Sequence, residues 1–197
     1  MYASVGMMYP VFAPFNSHTD GSMPTYGPGR VLSEARNAGE TYEYQNNPLY
    51  GDDRIVDDDN SLSALTVSFE STGLSLEDRV VVLGEERNAN TVTGGQWISD
   101  QATPYGGFGY VAKMRDKGTY YYEARLTLKL KFQEESRNTQ TREGAITWGT
   151  PTLNGRAAAL DVDGSGKLRF QLIEKFQNMA AAKAWLNDLL NVSAVST

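Results

Sequence analysis

Residues 120–132 alternate without a break. The even positions, Tyr120, Tyr122, Ala124, Leu126, Leu128, Leu130 and Phe132, are apolar, and the odd ones, Tyr121, Glu123, Arg125, Thr127, Lys129 and Lys131, are mostly charged or polar. Period two over this length predicts a β-strand with one face on a core and the other wet. At about 3.4 Å per residue the strand would be roughly 40 Å long, against a usual strand of about 5–6 residues. Residues 110–114 can pair back on it through Arg115, Asp116, Lys117 and Gly118, with glycine where a positive φ is easiest. The result is a hairpin with unequal arms. An arm that outruns its partner must bend over a second sheet or pair with another copy of the chain.

Leu65, Val67 and Phe69 define a second alternating strand over residues 65–70. Ser75 and Asp78 read as a capping box and Gly84 as a stop signal, giving a helix at 76–83, although Val80–Val82 also suit a strand. In residues 178–190, Met179, Ala182, Trp185, Leu186, Leu189 and Leu190 share one helical face behind a capping Asn178, so this helix should lie across a sheet. Residues 30–37 and 40–45 are short strand candidates. Asn46, Asn47 and Pro48 break the second, and 49–56 can resume it. Further short strands are expected at 96–99, 145–148, 155–160 and 168–176, with an exposed turn at 133–144.

Residues 1–29 hold Pro10, Pro14, Pro24 and Pro28, four of the chain's 7 prolines. Within them only 7–12 suits a strand, and Pro10 confines it to an edge. This segment reads as an extended N-terminal arm anchored by Tyr9, Phe12, Phe15 and Tyr26, or else as an unordered terminus. The expected architecture is mainly β: a β-sandwich or partly rolled β-barrel over residues 30–197, with a flanking C-terminal α-helix and long loops, preceded by the arm.

Composition narrows function. With Cys 0, disulfides, thiolate metal sites and a cysteine nucleophile are excluded. A formal net charge of −6 opposes nucleic-acid binding by phosphate neutralisation. The first basic residue is Arg30, so the start lacks the basic region of a secretory signal, and no apolar run approaches the roughly 20 residues of a membrane span. The chain is therefore expected to be soluble and made in a cytoplasm.

Several motifs imitate chemistry. Gly107, Gly109 and Ala112 spell a dinucleotide fingerprint, but they lead into a strand where the fingerprint needs a helix. Residues 164–167, Gly-Ser-Gly-Lys, resemble a phosphate loop, yet Asp161 stands where glycine is wanted and Leu168 where a hydroxyl would hold magnesium. Asp161, Asp163, Ser165 and Gly166 imitate an EF-hand start that ends in Leu172 instead of glutamate. All three read as turns. His18 has no nucleophile placed beside it by spacing, and the acidic run of Asp57, Asp58 and Asp59 near Asp52 and Asp53 fits no calcium loop. No cofactor, metal or catalytic residue is expected. The acidic run reads as a water-facing loop or an electrostatic contact.

From Leu49 onward the chain resembles the major tail proteins of long-tailed bacteriophages, which build the tail tube. The phrases that carry this are Leu-Tyr-Gly-Asp-Asp at 49–53, Pro-Tyr-Gly-Gly-Phe-Gly-Tyr at 104–110 and the 120–132 strand running into Gln133 and Glu134. Thr-Pro-Thr-Leu-Asn-Gly at 150–155 and Ala-Trp-Leu-Asn at 184–187 complete the set. Their order and spacing carry it more than any one phrase. The resemblance implies a virion protein without enzymatic activity, assembled as hexameric rings stacked into a hollow tube for DNA delivery. Its partners would be itself and other tail proteins (tape measure, tail terminator and distal tail), with DNA passing through the lumen without sequence-specific binding and no membrane involved.

By that analogy Pro48, Leu49, Tyr50, Asp52, Asp53, Asp57, Asp58 and Asp59, in a loop over 46–61, are candidates for contacts between subunits or rings. Glu123, Arg125, Thr127, Lys129 and Lys131 are candidates for the inner-barrel wall. An acidic conduit lets DNA slide where a basic one would hold it. The alternative is a monomeric β-sandwich binding module, for carbohydrate for example, using the 3 Trp and 11 Tyr as platforms.

Overall fold

The computed structural model describes residues 2–52, 54–88, 94–98, 100, 102–136 and 150–193. In chain order the elements are β1 (Tyr2–Ser17), β2 (Thr25–Tyr26), β3 (Arg30–Val31), β4 (Ala35–Gly51), β5 (Arg54–Ser71), α1 (Leu76–Leu83), β6 (Glu86–Asn88) and β7 (Gly95–Trp97). They continue as β8 (Gly106–Asp116), β9 (Thr119–Ser136), β10 (Thr152–Ala157), β11 (Gln171–Phe176) and α2 (Met179–Leu189). The expected strand candidate at 145–148 lies outside the described residues.

The fold is mainly β. One antiparallel sheet runs β2-β1-β8-β9-β10-β5-β4, with β11 also on β9 and β3 on β1, while β6 and β7 pair separately. The long strand is central to it. β9 has β8 on one side; on the other it pairs with β11 over residues 122–127 and with β10 from Leu130 onward. Its surplus length is thus used within the molecule by two successive partners. The β8–β9 turn is tighter than expected: Asp116 pairs with Thr119, and Lys117 and Gly118 both take positive φ, +45° and +94°, the geometry that matches strand twist in a two-residue hairpin.

The sheet curls over on itself. Phe69 of β5 packs against Phe108 of β8 with ring centroids 5.2 Å apart, although two strands separate them in the sheet order. Phe12, Leu65, Val67, Phe69, Phe108, Leu130, Phe132 and Leu153 fill this interior, and α1 closes it with Val82. A second core lies on the outer face, where Val11, Val111, Ala124, Leu126 and Leu128 meet Ala182, Leu186 and Leu190.

The even positions of β9 serve both cores, which alternation alone forbids. Phe108 opposes Thr127 and Gly106 opposes Leu130, so two steps along β8 match three along β9. This is a β-bulge at Leu128–Lys129. Ala124, Leu126 and Leu128 face α2, whereas Leu130 and Phe132 face the interior. The odd positions divide in the same way, so they do not form the single wet face expected of them.

Both helices form where expected. Ser75 accepts from the Asp78 N–H and Gly84 closes α1 at φ +73°; Asn178 accepts from the Ala181 N–H to start α2. The pair Gly107/Gly109 is explained by α2. A Cβ at Gly109 would stand 2.7 Å from Leu186 Cδ2, and one at Gly107 would stand 2.8 Å from Leu190 Cδ2. The two leucines seat on bare backbone.

Two expectations are corrected. Residues 2–17, expected in an arm with at most 7–12 as strand, pair with β8 from Tyr2 to Pro14 and with β2 at Phe15 and Ser17, and bury Val11, Phe12 and Ala13. Pro10 is tolerated because the register shifts between Met8 and Val11, with Tyr9 at φ +58°; the bulge removes the need for a ladder N–H at proline. The loop expected at 46–61 is instead the outer half of a hairpin, with β4 and β5 paired from Ala35↔Ser71 to Gly51↔Arg54.

Candidate self-association surface

The β4–β5 hairpin leaves the core near Ala64. Inward from there, Ala64, Leu65, Val67 and Phe69 are buried; outward, Tyr44, Tyr50, Ile55 and Val56 are 59%, 68%, 58% and 61% exposed. Among the described residues β4 pairs with β5 alone and is the last strand of the sheet, so its other edge has no strand partner among them. Of the candidate contact residues, Pro48, Leu49 and Tyr50 lie on β4, and Asp52 forms the tip at φ +48°. Asp57, Asp58 and Asp59 lie on β5 opposite Leu49, Pro48 and Asn47. Asp53 lies outside the described residues.

Two ionic nodes fix the body from which this hairpin projects, and neither has a sequence motif. Glu40, on the inward side of β4, accepts from Tyr110 Oη at 2.6 Å, Gln171 Nε2 at 2.6 Å, Tyr42 Oη at 2.9 Å and Arg125 at 3.1 Å. It ties the edge strand to β8, β9 and β11. Burial, and then the Glu40 charge, push the Tyr42 phenol up to about 12 and the Tyr110 phenol further. At the opposite end, Arg79 of α1 is buried and pairs with Glu85 and with Glu134 of β9. Those carboxylates hold its guanidinium firmly charged.

The five candidate wall residues are split by the bulge. Arg125 pairs with Glu40 and Glu123, and Thr127 is buried, all on the interior side. Lys129 and Lys131 stand on the outer face, with their Nζ atoms 4.6 and 4.2 Å from the Tyr105 ring centroid. Lys131 lines a groove of about 620 Å³ with Tyr105, Gln133, Asn154, Arg156 and Thr66, and Lys129 reaches the same Tyr105 ring. α2 covers the outer face beside it, over Ala124–Leu128.

Of the motifs read as turns, Gly107, Gly109 and Ala112 lie instead within β8, whereas the overlapping motifs at 161–167 do form a turn. Asp161 accepts from the N–H groups of Asp163, Gly164 and Gly166, and Asp163 accepts from the Ser165 hydroxyl and N–H and pairs with Arg169. The oxygens a cation would need are occupied by N–H donors. The Ser165 bonds, with Arg169, lower the Asp163 carboxyl to about 2. His18 packs on the same turn, 3.1 Å from the Asp161 carbonyl. Among the described residues no helix is long and apolar enough to cross a membrane.

Neither a family model nor a curated protein matches the chain. Among solved structures, it aligns with a chain of the cryo-EM structure of the anti-feeding prophage baseplate, 6-fold symmetrised. That alignment has 11% identity and a TM-score of 0.28, and covers 87% of this chain and 95% of that one.

Proposed function

We propose that this protein is a phage virion structural protein that self-assembles into stacked hexameric rings to form the tail tube. It acts by shape, self-association and charge, without catalytic residues, and meets other tail proteins at the tube ends. The observation that carries the reading is the projecting hairpin: a long edge strand with no further strand partner among the described residues, ending in exposed Tyr44, Tyr50, Ile55 and Val56. An edge of this length and apolarity invites uncontrolled aggregation in a monomer, and a neighbouring subunit that covers it removes the hazard. The phrases resembling tail tube proteins and the net charge of −6, which suits a conduit for phosphate chains, support the same reading.

Sedimentation velocity tests it. The wild type should sediment as large, concentration-dependent species, and replacing Tyr44, Tyr50, Ile55 and Val56 by Ser should return it to a monomer with an unchanged far-ultraviolet spectrum. A quadruple variant that associates like the wild type removes the hairpin from the interface. A wild type that stays monomeric and melts higher with an oligosaccharide favours the binding module instead.

A further inference from the structure

Going beyond the reading above, but resting on its premise that the chain self-associates, we propose that the basic groove at Tyr105, Lys131 and Arg156 is the receptor for the acidic hairpin tip of a second copy.

The groove lies on the outer face of β9, β10 and β5, where Lys131, Arg156 and Thr66 are direct cross-strand neighbours. Lys129 joins Lys131 over the rings of Phe15 and Tyr105. Among the described residues, none of Lys129, Lys131 and Arg156 has a carboxylate within salt-bridge range, whereas Arg30, Arg36, Arg79, Arg87, Arg125 and Arg169 all do. Three cations at one site, in a chain of net charge −6, call for an anionic occupant.

The chain itself supplies one. Residues 44–61 hold Asp52, Asp53, Asp57, Asp58 and Asp59 against a single Arg54. A subunit cannot put this tip into its own groove. Thr66, which lines the groove, and Asp57–Asp59 belong to the same continuous strand, seven to nine residues apart; at about 3.3 Å per residue that is roughly 23–30 Å along a strand that cannot double back. The tip must therefore reach another molecule. Nor do residues 137–149 match the groove electrostatically, since they carry Arg137 and Arg142 against Glu143. Donor and receptor are different surfaces of one chain, so the contact is heterologous and propagates into a closed ring or an open filament.

Charge reversal tests this on the full chain. Sedimentation velocity and negative-stain microscopy are run on the wild type, on a groove variant (K131E/R156E) and on a tip variant (D57K/D58K/D59K). They are also run on an equimolar mixture of the two variants and on the chain carrying all five changes. Each single-surface variant should self-associate at least about tenfold more weakly than the wild type. The mixture, in which the acidic tip of the groove variant faces the intact groove of the tip variant and the lysine tip of the tip variant faces the glutamate groove of the groove variant, should recover association as an alternating assembly that neither variant forms alone. The five-change chain, with both signs reversed, should recover association, which also shows that the variants fold. Either single-surface variant assembling like the wild type overturns the proposal and leaves the tube reading standing. Rescue in the mixture and in the five-change chain, together with open filaments in place of rings, sustains the groove contact and overturns the tube. A labelled single-stranded DNA that binds the wild type but not K131E/R156E, with self-association unchanged, assigns the groove to nucleic acid and overturns the proposal.

Discussion

The Tyr110 hydroxyl donates to Glu40 Oε1 at 2.6 Å across the curled sheet, joining a central strand to the edge strand. Glu40 is also the partner of Arg125, whose side chain is 24% exposed against 6% for Glu40. Replacing Glu40 by Ala leaves that guanidinium without its cross-sheet carboxylate and should destabilise by about 3 kcal/mol. Tyr110→Phe, which removes one hydrogen bond to a charged acceptor, should cost about 1.5–3 kcal/mol. Urea denaturation of both variants checks the order. Because Glu40 anchors β4, the Glu40→Ala chain should also assemble less well at temperatures below its melting transition.

Gly109→Ala tests the seat of α2. The added Cβ meets Leu186 Cδ2 at 2.7 Å, an overpacking expected to cost about 1–3 kcal/mol. Gly109→Ala combined with Leu186→Ala should be less destabilising than the sum of the two single changes, because the truncated leucine makes room for the methyl. Strict additivity in thermal melts would place the helix elsewhere.

The helical stripe of α2 puts Trp185 on the core-facing side with the leucines, and in the structure it is half-buried against Phe176, with centroids 6.0 Å apart, while Ala182, Leu186 and Leu190 form the buried ridge. Trp185→Ala should then cost about 2 kcal/mol, less than the roughly 3–5 of a fully buried tryptophan, and less than Leu186→Ala.

Two pH windows follow from the shifted groups. Burial raises the phenols of Tyr26, Tyr42 and Tyr110 above the ordinary value of 10.0, with Tyr42 at about 12. Above pH 10 the unfolded chain releases these protons and the folded one keeps them. Stability is therefore complete below pH 10 and falls as the pH rises through 12. Tyrosinate absorbance should appear late and together with unfolding. Asp163 has the opposite sign. Its carboxyl is lowered from 3.8 to about 2, so its bonds to Ser165 and Arg169 are intact above pH 3.8 and are lost as the pH falls through 2. The amide resonance of Ser165 should report that step.

How far the sequence can be read depends on what each residue leans on. The alternation of β9 and the caps of both helices are local, and the caps formed as the sequence indicates. The bulge at Leu128–Lys129 is not local: it exists only in the register of β9 against β8, between the pairs Gly106↔Leu130 and Phe108↔Thr127. Strict parity therefore put Lys129 and Lys131 on the face of Arg125, when they lie on the opposite one. Pro10 argued against a long first strand because its accommodation depends on a register shift against β8. The described residues of the outer half of β4–β5 are exposed on both faces, so they meet no core that would impose a readable pattern. The Glu40 and Arg79 nodes join residues 70 to 131 and 55 positions apart, respectively, which no spacing rule reaches.

Negative-stain electron microscopy of the purified protein, taken over a rising concentration series, decides whether the chain builds a tube. The account predicts rings or tubes of uniform width with sixfold end-on views, absent when Tyr44, Tyr50, Ile55 and Val56 are replaced by Ser. Isolated particles of monomer size at every concentration, or identical tubes from that variant, would contradict it.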